Sequence, residues 1–183
     1  MDSRAPSRIL AGLAVLIGIH VSHSSSAAQS AEEYALKAAV LYNVTKFVEW
    51  PREAFKGPGD PVQVCILGDN PFGDTLSQAV GGKIHDGRTF AVRQVPDIEK
   101  TRDCQVLFIS ASEQKRFRAI LDGIPAYGTL TVGDTETFAT EGGILNLKVE
   151  GVRIRLQVNV SAAEQHGIRI SSRLLGLAEI VRK

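Results

Sequence analysis

The chain has 183 residues and carries 21 Lys and Arg against 20 Asp and Glu. Without residues 1–28, read below as an export signal, Arg4, Arg8 and Asp2 are lost and the remaining charges balance to zero. That balance excludes the long-range attraction that nucleic acid or anionic lipid exerts on a basic face, and the remaining length suits one domain.

Arg4 and Arg8 precede an apolar run over residues 9–19, and small or polar residues fill 22–28. This order predicts a secretory signal peptide over 1–28 with cleavage before Gln29. The run is too short for a retained anchor, since a spanning helix needs about 20 residues. A helix is expected over 31–48, opened by Ser30 with Glu33 completing a capping box, and with Leu36, Val40, Val44, Phe47 and Val48 as its buried stripe. Trp50 and Pro51 end it, because proline disfavours helical geometry in the residue before it.

A strand is predicted over 62–67 after the Gly- and Pro-rich loop 56–61. A helix to about Val80, a strand over 89–95 and a buried strand over 104–109 follow, then a helix capped by Ser110 or Ser112 that runs to Leu121. Strands are expected over 128–132, 143–149 and 152–160, with Glu150 and Gly151 as a hairpin turn. The last strand alternates, with Val152, Ile154, Leu156, Val158 and Val160 apolar between Arg153, Arg155, Gln157 and Asn159. A short helix over 161–166 and a final helix over 173–181, capped by Ser171 or Ser172, complete the pattern. Residues 29–183 are therefore expected to form a single α/β domain, a mixed sheet flanked by helices.

Cys65 and Cys104 are the only cysteines, and each lies in a strand-like run. In an oxidising compartment the pair predicts a structural disulfide, ahead of a redox switch. A metal site is disfavoured by the lack of CxxC spacing and by having only His85 and His166 as imidazoles beyond the signal. Gly81-Gly82-Lys83 is followed by Ile84 where a phosphate loop needs Ser or Thr, and no GxSxG occurs. Neither histidine sits among triad partners, so both are expected to be surface residues, and no cofactor is predicted. Asp69 and Asp134 each follow a glycine at a strand end, which leaves two readings, a shared ligand pocket or turn chemistry. The glycosylation patterns at Asn43 and Asn159 fall in a helix and at a strand end and are treated as accidental.

Glu33-Tyr34-Ala35-Leu36-Lys37-Ala38-Ala39, Leu41-Tyr42-Asn43, Lys46-Phe47 and Glu49-Trp50-Pro51 resemble the opening signature of the YfiR family of bacterial periplasmic proteins. Val64-Cys65-Ile66-Leu67-Gly68, Leu107-Phe108-Ile109-Ser110, Leu130-Thr131-Val132-Gly133-Asp134, Phe138-Ala139, Gly142-Gly143-Ile144 and residues 170–178 agree in order. The resemblance implies a non-enzymatic periplasmic repressor that binds the periplasmic region of a membrane diguanylate cyclase, and thereby controls cyclic-di-GMP and biofilm formation. It also implies an outer-membrane lipoprotein able to relieve repression. The family's first cysteine pair matches Cys65 and Cys104, and the second pair that some members carry is missing.

A neutral domain without clustered acid and base residues suits a binding protein, and a homodimer is compatible with it. Trp50, Ile168, Arg169, Ile170 and Arg173 have the aromatic, aliphatic and arginine character of interface hot spots, although Trp50 in the core and Arg169 on a plain solvated surface is the competing reading. A periplasmic small-ligand sensor acting on a histidine kinase or another membrane receptor is the alternative function. A hydrolase using Asp69 or Asp134 is disfavoured for want of a nucleophile and base.

Overall fold

The computed structural model describes residues 24–125 and 127–182, so most of the expected signal segment lies outside the described residues. Helix α1 (Ser24–Thr45) runs straight through Ser30, and Glu33 reaches Lys37 instead of forming a capping box. It ends three residues earlier than expected, where the Thr45 hydroxyl donates to the Tyr42 carbonyl and the Phe47 amide donates to Val44. The chain then becomes strand β1 (Val48–Glu49). The buried side of α1 is Ala38, Leu41 and Val44 together with Lys37, while Leu36, expected inside, is 42 % exposed.

The main sheet has seven strands: β2 (Val62–Leu67), β3 (Phe90–Val95), β4 (Val106–Ile109), β5 (Leu130–Gly133), β6 (Leu145–Glu150), β7 (Arg153–Asn159) and β9 (Glu179–Val181). Their spatial order is β3-β2-β4-β5-β6-β7-β9. From β3 to β6 every pairing is parallel, which explains why β4 and β5 are buried along their whole length. A hairpin at Gly151 turns β7 antiparallel to β6, and β9 returns parallel to β7. A separate antiparallel ribbon joins β1 to β8 (Arg169–Ile170).

The period of two in the strands divides the core between two faces. Val62, Val64 and Ile66 of β2, with Val106 and Phe108 of β4, face the layer containing α1 and α2 (Thr75–Val80). Cys65, Leu67, Leu107 and Ile109 face α3 (Phe117–Gly123), which contributes Phe117, Ile120 and Leu121. The expected helix from Ser110 is split, since the Ser110 hydroxyl accepts from the Ser112 amide and opens a 3-10 segment over Ala111–Arg116 before α3 begins.

Helix α4 (Val160–Gln165) is capped by Asn159, which accepts from the Ala162 amide and donates to the Ala139 carbonyl, so this side chain is not available for glycosylation. The expected last helix is a correction: α5 (Ser172–Leu175) lasts one turn, and Glu179–Val181 leave helical geometry to pair with Gln157–Asn159.

The Cys65–Cys104 disulfide is present, with a Cα–Cα distance of 5.9 Å, and both cysteines are buried under α3. Such burial fits a staple and denies access to an attacking thiol.

Candidate functional site

The structure separates the two glycine-aspartate pairs. Asp69 is an exposed turn residue, and its backbone amide donates to the Ser112 hydroxyl at 2.9 Å. The side chain of Asp134, just after β5, is buried, and its Oδ2 accepts from Lys37 Nζ at 2.6 Å and from the Tyr34 hydroxyl at 2.9 Å. Lys37 is 2 % exposed and also meets Glu33 at 2.5 Å. Burial first, and then the Asp134 carboxylate, push Tyr34 well above the usual tyrosine range. Asp134 thus anchors α1 to the sheet. The Glu33 to Lys37 spacing of four was the sequence signal for half of this network, whereas its third member is 97 residues away from Lys37.

Both histidines are partly buried, contrary to the surface placement expected for them. His166 closes α4, its Nδ1 has no partner among the described residues, and burial lowers its affinity for a proton. The imidazole of His85 stands edge-on to Trp50, with ring centroids 6.2 Å apart. Among the described residues, no group of three or more His, Cys, Asp or Glu is placed to hold a metal ion.

Four of the five residues expected at a partner surface come together around the β1–β8 ribbon. Val48 pairs with Ile170 and Glu49 with Arg169, and the Ser171 amide donates to the Phe47 carbonyl. The Arg169 side chain is 86 % exposed, with Nε 3.7 Å from Glu49. Ile170 is half-buried, and Arg173 is exposed on α5 directly after the ribbon. Ile168 differs, being 1 % exposed within the core, so its role is to seat β8. Trp50 is half-buried and donates through Nε1 to the Gln105 carbonyl at 3.0 Å, which combines the core and surface readings in one side chain.

Beside the ribbon lies a cleft of about 560 Å³ walled by Trp50, Phe55, His85, Arg52 and Arg88, with Glu49 and Asp86 at its margin. The Arg88 guanidinium lies 3.7 Å from the centre of the Phe55 ring and donates to the Gly57 and Asp60 carbonyls. Aromatic faces, cations and an exposed ribbon edge are equipment for recognition. Among the described residues, no nucleophile with an adjacent base lines the cleft. His85 and Arg88 were missed as neighbours of Trp50 because the Asp86-Gly87 turn, both residues at positive φ, carries them there from a different part of the sequence.

A family model described as YfiR/HmsC-like matches residues 34–179. No curated protein matches the chain. Among solved structures, the chain is similar to the ABC domain in complex with L-Trp from Streptococcus pneumonia, with a TM-score of 0.53 and 10 % identity over 81 % of this chain and 60 % of that one. It is also similar to a conserved domain protein from Vibrio cholerae O1 biovar eltor, with a TM-score of 0.54 and 11 % identity over 82 % of this chain and 60 % of the other. The chain thus spans less than two thirds of each structure, and at such identity the likeness concerns the fold alone.

Proposed function

The chain belongs to the YfiR/HmsC-like family, a regulatory and non-catalytic family of periplasmic proteins in cyclic-di-GMP signalling, and from that premise we propose that it represses an inner-membrane diguanylate cyclase by binding the cyclase's periplasmic region. The observation that carries this reading is the family match across residues 34–179, nearly the whole described domain. Residues 1–28 act as the export signal and 29–183 as the working domain. Trp50, Arg169, Ile170 and Arg173 supply the contact surface, and an outer-membrane lipoprotein relieves repression by competing for the protein.

Deletion of the gene in its own host, with a plasmid-borne copy as control, tests the proposal. Cellular cyclic-di-GMP rises on deletion and returns with the wild-type copy; an unchanged level under biofilm-forming conditions would sink repression. N-terminal sequencing of the exported protein is expected to begin at Gln29.

The cleft beside Trp50 supports a second reading, a small-ligand sensor acting on a histidine kinase or another membrane receptor. Ring stacking on Trp50 and Phe55 with charge from Arg52 would suit a small aromatic anion. That reading predicts a rise in melting temperature on adding such a compound, abolished by Trp50→Ala.

A further inference from the structure

Strand β7 is longer than its outer neighbour. It runs from Arg153 to Asn159, but β9 pairs only with Gln157, Val158 and Asn159. Among the described residues, Arg153, Ile154, Arg155 and Leu156 have no strand on their outer side. In an antiparallel ladder alternate residues turn both backbone groups away from the partner, so this stretch presents free donors and acceptors at the sheet's edge. Its side chains alternate: Arg153 and Arg155 are exposed on one face, and Ile154 and Leu156 are half-buried on the other.

A groove of mixed lining adjoins the same stretch, with Gln29, Glu32 and Glu33 of α1 among its polar residues. It has a volume of about 400 Å³ and lies between α1, which contributes Leu36, and the β6–β7 hairpin, which contributes Val149, Val152 and Ile154. Val152 is 91 % exposed and Leu36 42 %, while Val149 is 37 % exposed, so three apolar side chains face water together.

We propose that this edge takes an extended strand from a partner protein by strand addition, and that the incoming strand alternates acidic and apolar residues. Its carboxylates would lie beside Arg153 and Arg155, and its apolar side chains beside Ile154 at the mouth of the groove. Arg155 already meets Glu150 at 2.7 Å and Lys148 meets Glu136, whereas Arg153 makes no salt bridge among the described residues, so Arg153 is the cation this edge offers to an incoming carboxylate. A second copy of this chain fits badly. Antiparallel pairing of two such edges centred on Ile154 would set Arg153 against Arg155, and like charges directly opposite are destabilising. This surface is distinct from the Trp50 ribbon, and its test needs no cyclase.

The experiment uses the exported protein and short capped peptides that alternate valine with glutamate or valine with lysine. Calorimetric titration and amide hydrogen exchange read the outcome. The glutamate peptide is expected to bind and to slow exchange at Arg153 to Leu156, and the lysine peptide to bind far more weakly. The variant R153E/R155E, both positions being exposed, is expected to weaken the glutamate peptide by about tenfold and to reverse the preference. Arg153→Gln alone provides the milder check should the double variant melt early. Binding that ignores peptide charge, binding without protection at these amides, or no binding overturns the proposal. So does protection that appears with rising protein concentration and no peptide, which would assign the edge to a second copy.

Discussion

Lys37 and Asp134 are both nearly inaccessible to water, so their ion pair is expensive to disrupt from one side only. Asp134→Asn leaves a buried ammonium short of a carboxylate and is expected to cost about 3–5 kcal/mol in urea unfolding, whereas joint replacement by Lys37→Met and Asp134→Leu should recover most of the loss. Tyr34 gives the alkaline limb. Its folded-state proton affinity is raised, so its contribution is fully present below the ordinary tyrosine pKa of about 10 and is lost as pH rises above that. Tyr34→Phe should flatten the fall in stability above that pH. His166 gives the acid limb with the opposite sign. Burial lowers its pKa, so its stabilising contribution is present above the ordinary value of about 6.5 and fades as pH falls. Thermal melts of His166→Gln between neutral and mildly acidic pH should show a shallower slope than the parent. The disulfide joins positions 39 residues apart, and C65A/C104A is expected to lose roughly 4 kcal/mol on the chain-entropy model. The cysteine pair was legible from its count and compartment. The burial of Lys37 was not, because a lysine on a helix is ordinarily solvated and only the distant Asp134 makes this one tolerable inside.

At the scale of elements, the strands were the legible part. The apolar runs around Cys65, Phe108, Val132 and Leu147 lie in β2, β4, β5 and β6, since a parallel sheet covered on both faces needs continuous apolar sequence. What local pattern could not reveal was pairing between distant residues. The period of 3.6 continues past Thr45 and past Leu175, yet Val48–Glu49 and Glu179–Val181 are drawn into β-pairing with partners far along the chain. The candidate surface shows the same limit. The sequence offered Trp50 and the residues around Arg169 as separate suggestions, and only the ribbon unites them. Two glycines show how close packing shapes the β5–β6 connection. A Cβ on Gly133 would come within 2.4 Å of the Phe138 ring, and one on Gly143 within 2.1 Å. Gly143→Ala is therefore expected to destabilise by about 1–3 kcal/mol through displacement of Phe138 from Phe117, measurable as a lower urea midpoint with unchanged slope.

For the whole molecule, a near-neutral charge of +1 and an exposed ribbon place specificity in local shape and in a few charges, since no strong overall field favours one partner. Arg169→Glu removes the Glu49 contact and reverses an exposed charge, so its stability change should stay within about 0.5 kcal/mol while cyclic-di-GMP in the complemented host stays as high as in the deletion strain. A variant that restores repression fully would move the binding surface elsewhere. The β1–β8 ribbon also couples the two ends of the domain in time. Glu49 lies near the start of the domain and Arg169 near its end, so the ribbon can form only once almost the entire domain is available. Nascent chains, and products clipped before residue 168, would leave Trp50 without its neighbouring strand. In such fragments the ribbon cannot form, and the residues proposed as the contact surface are not brought together.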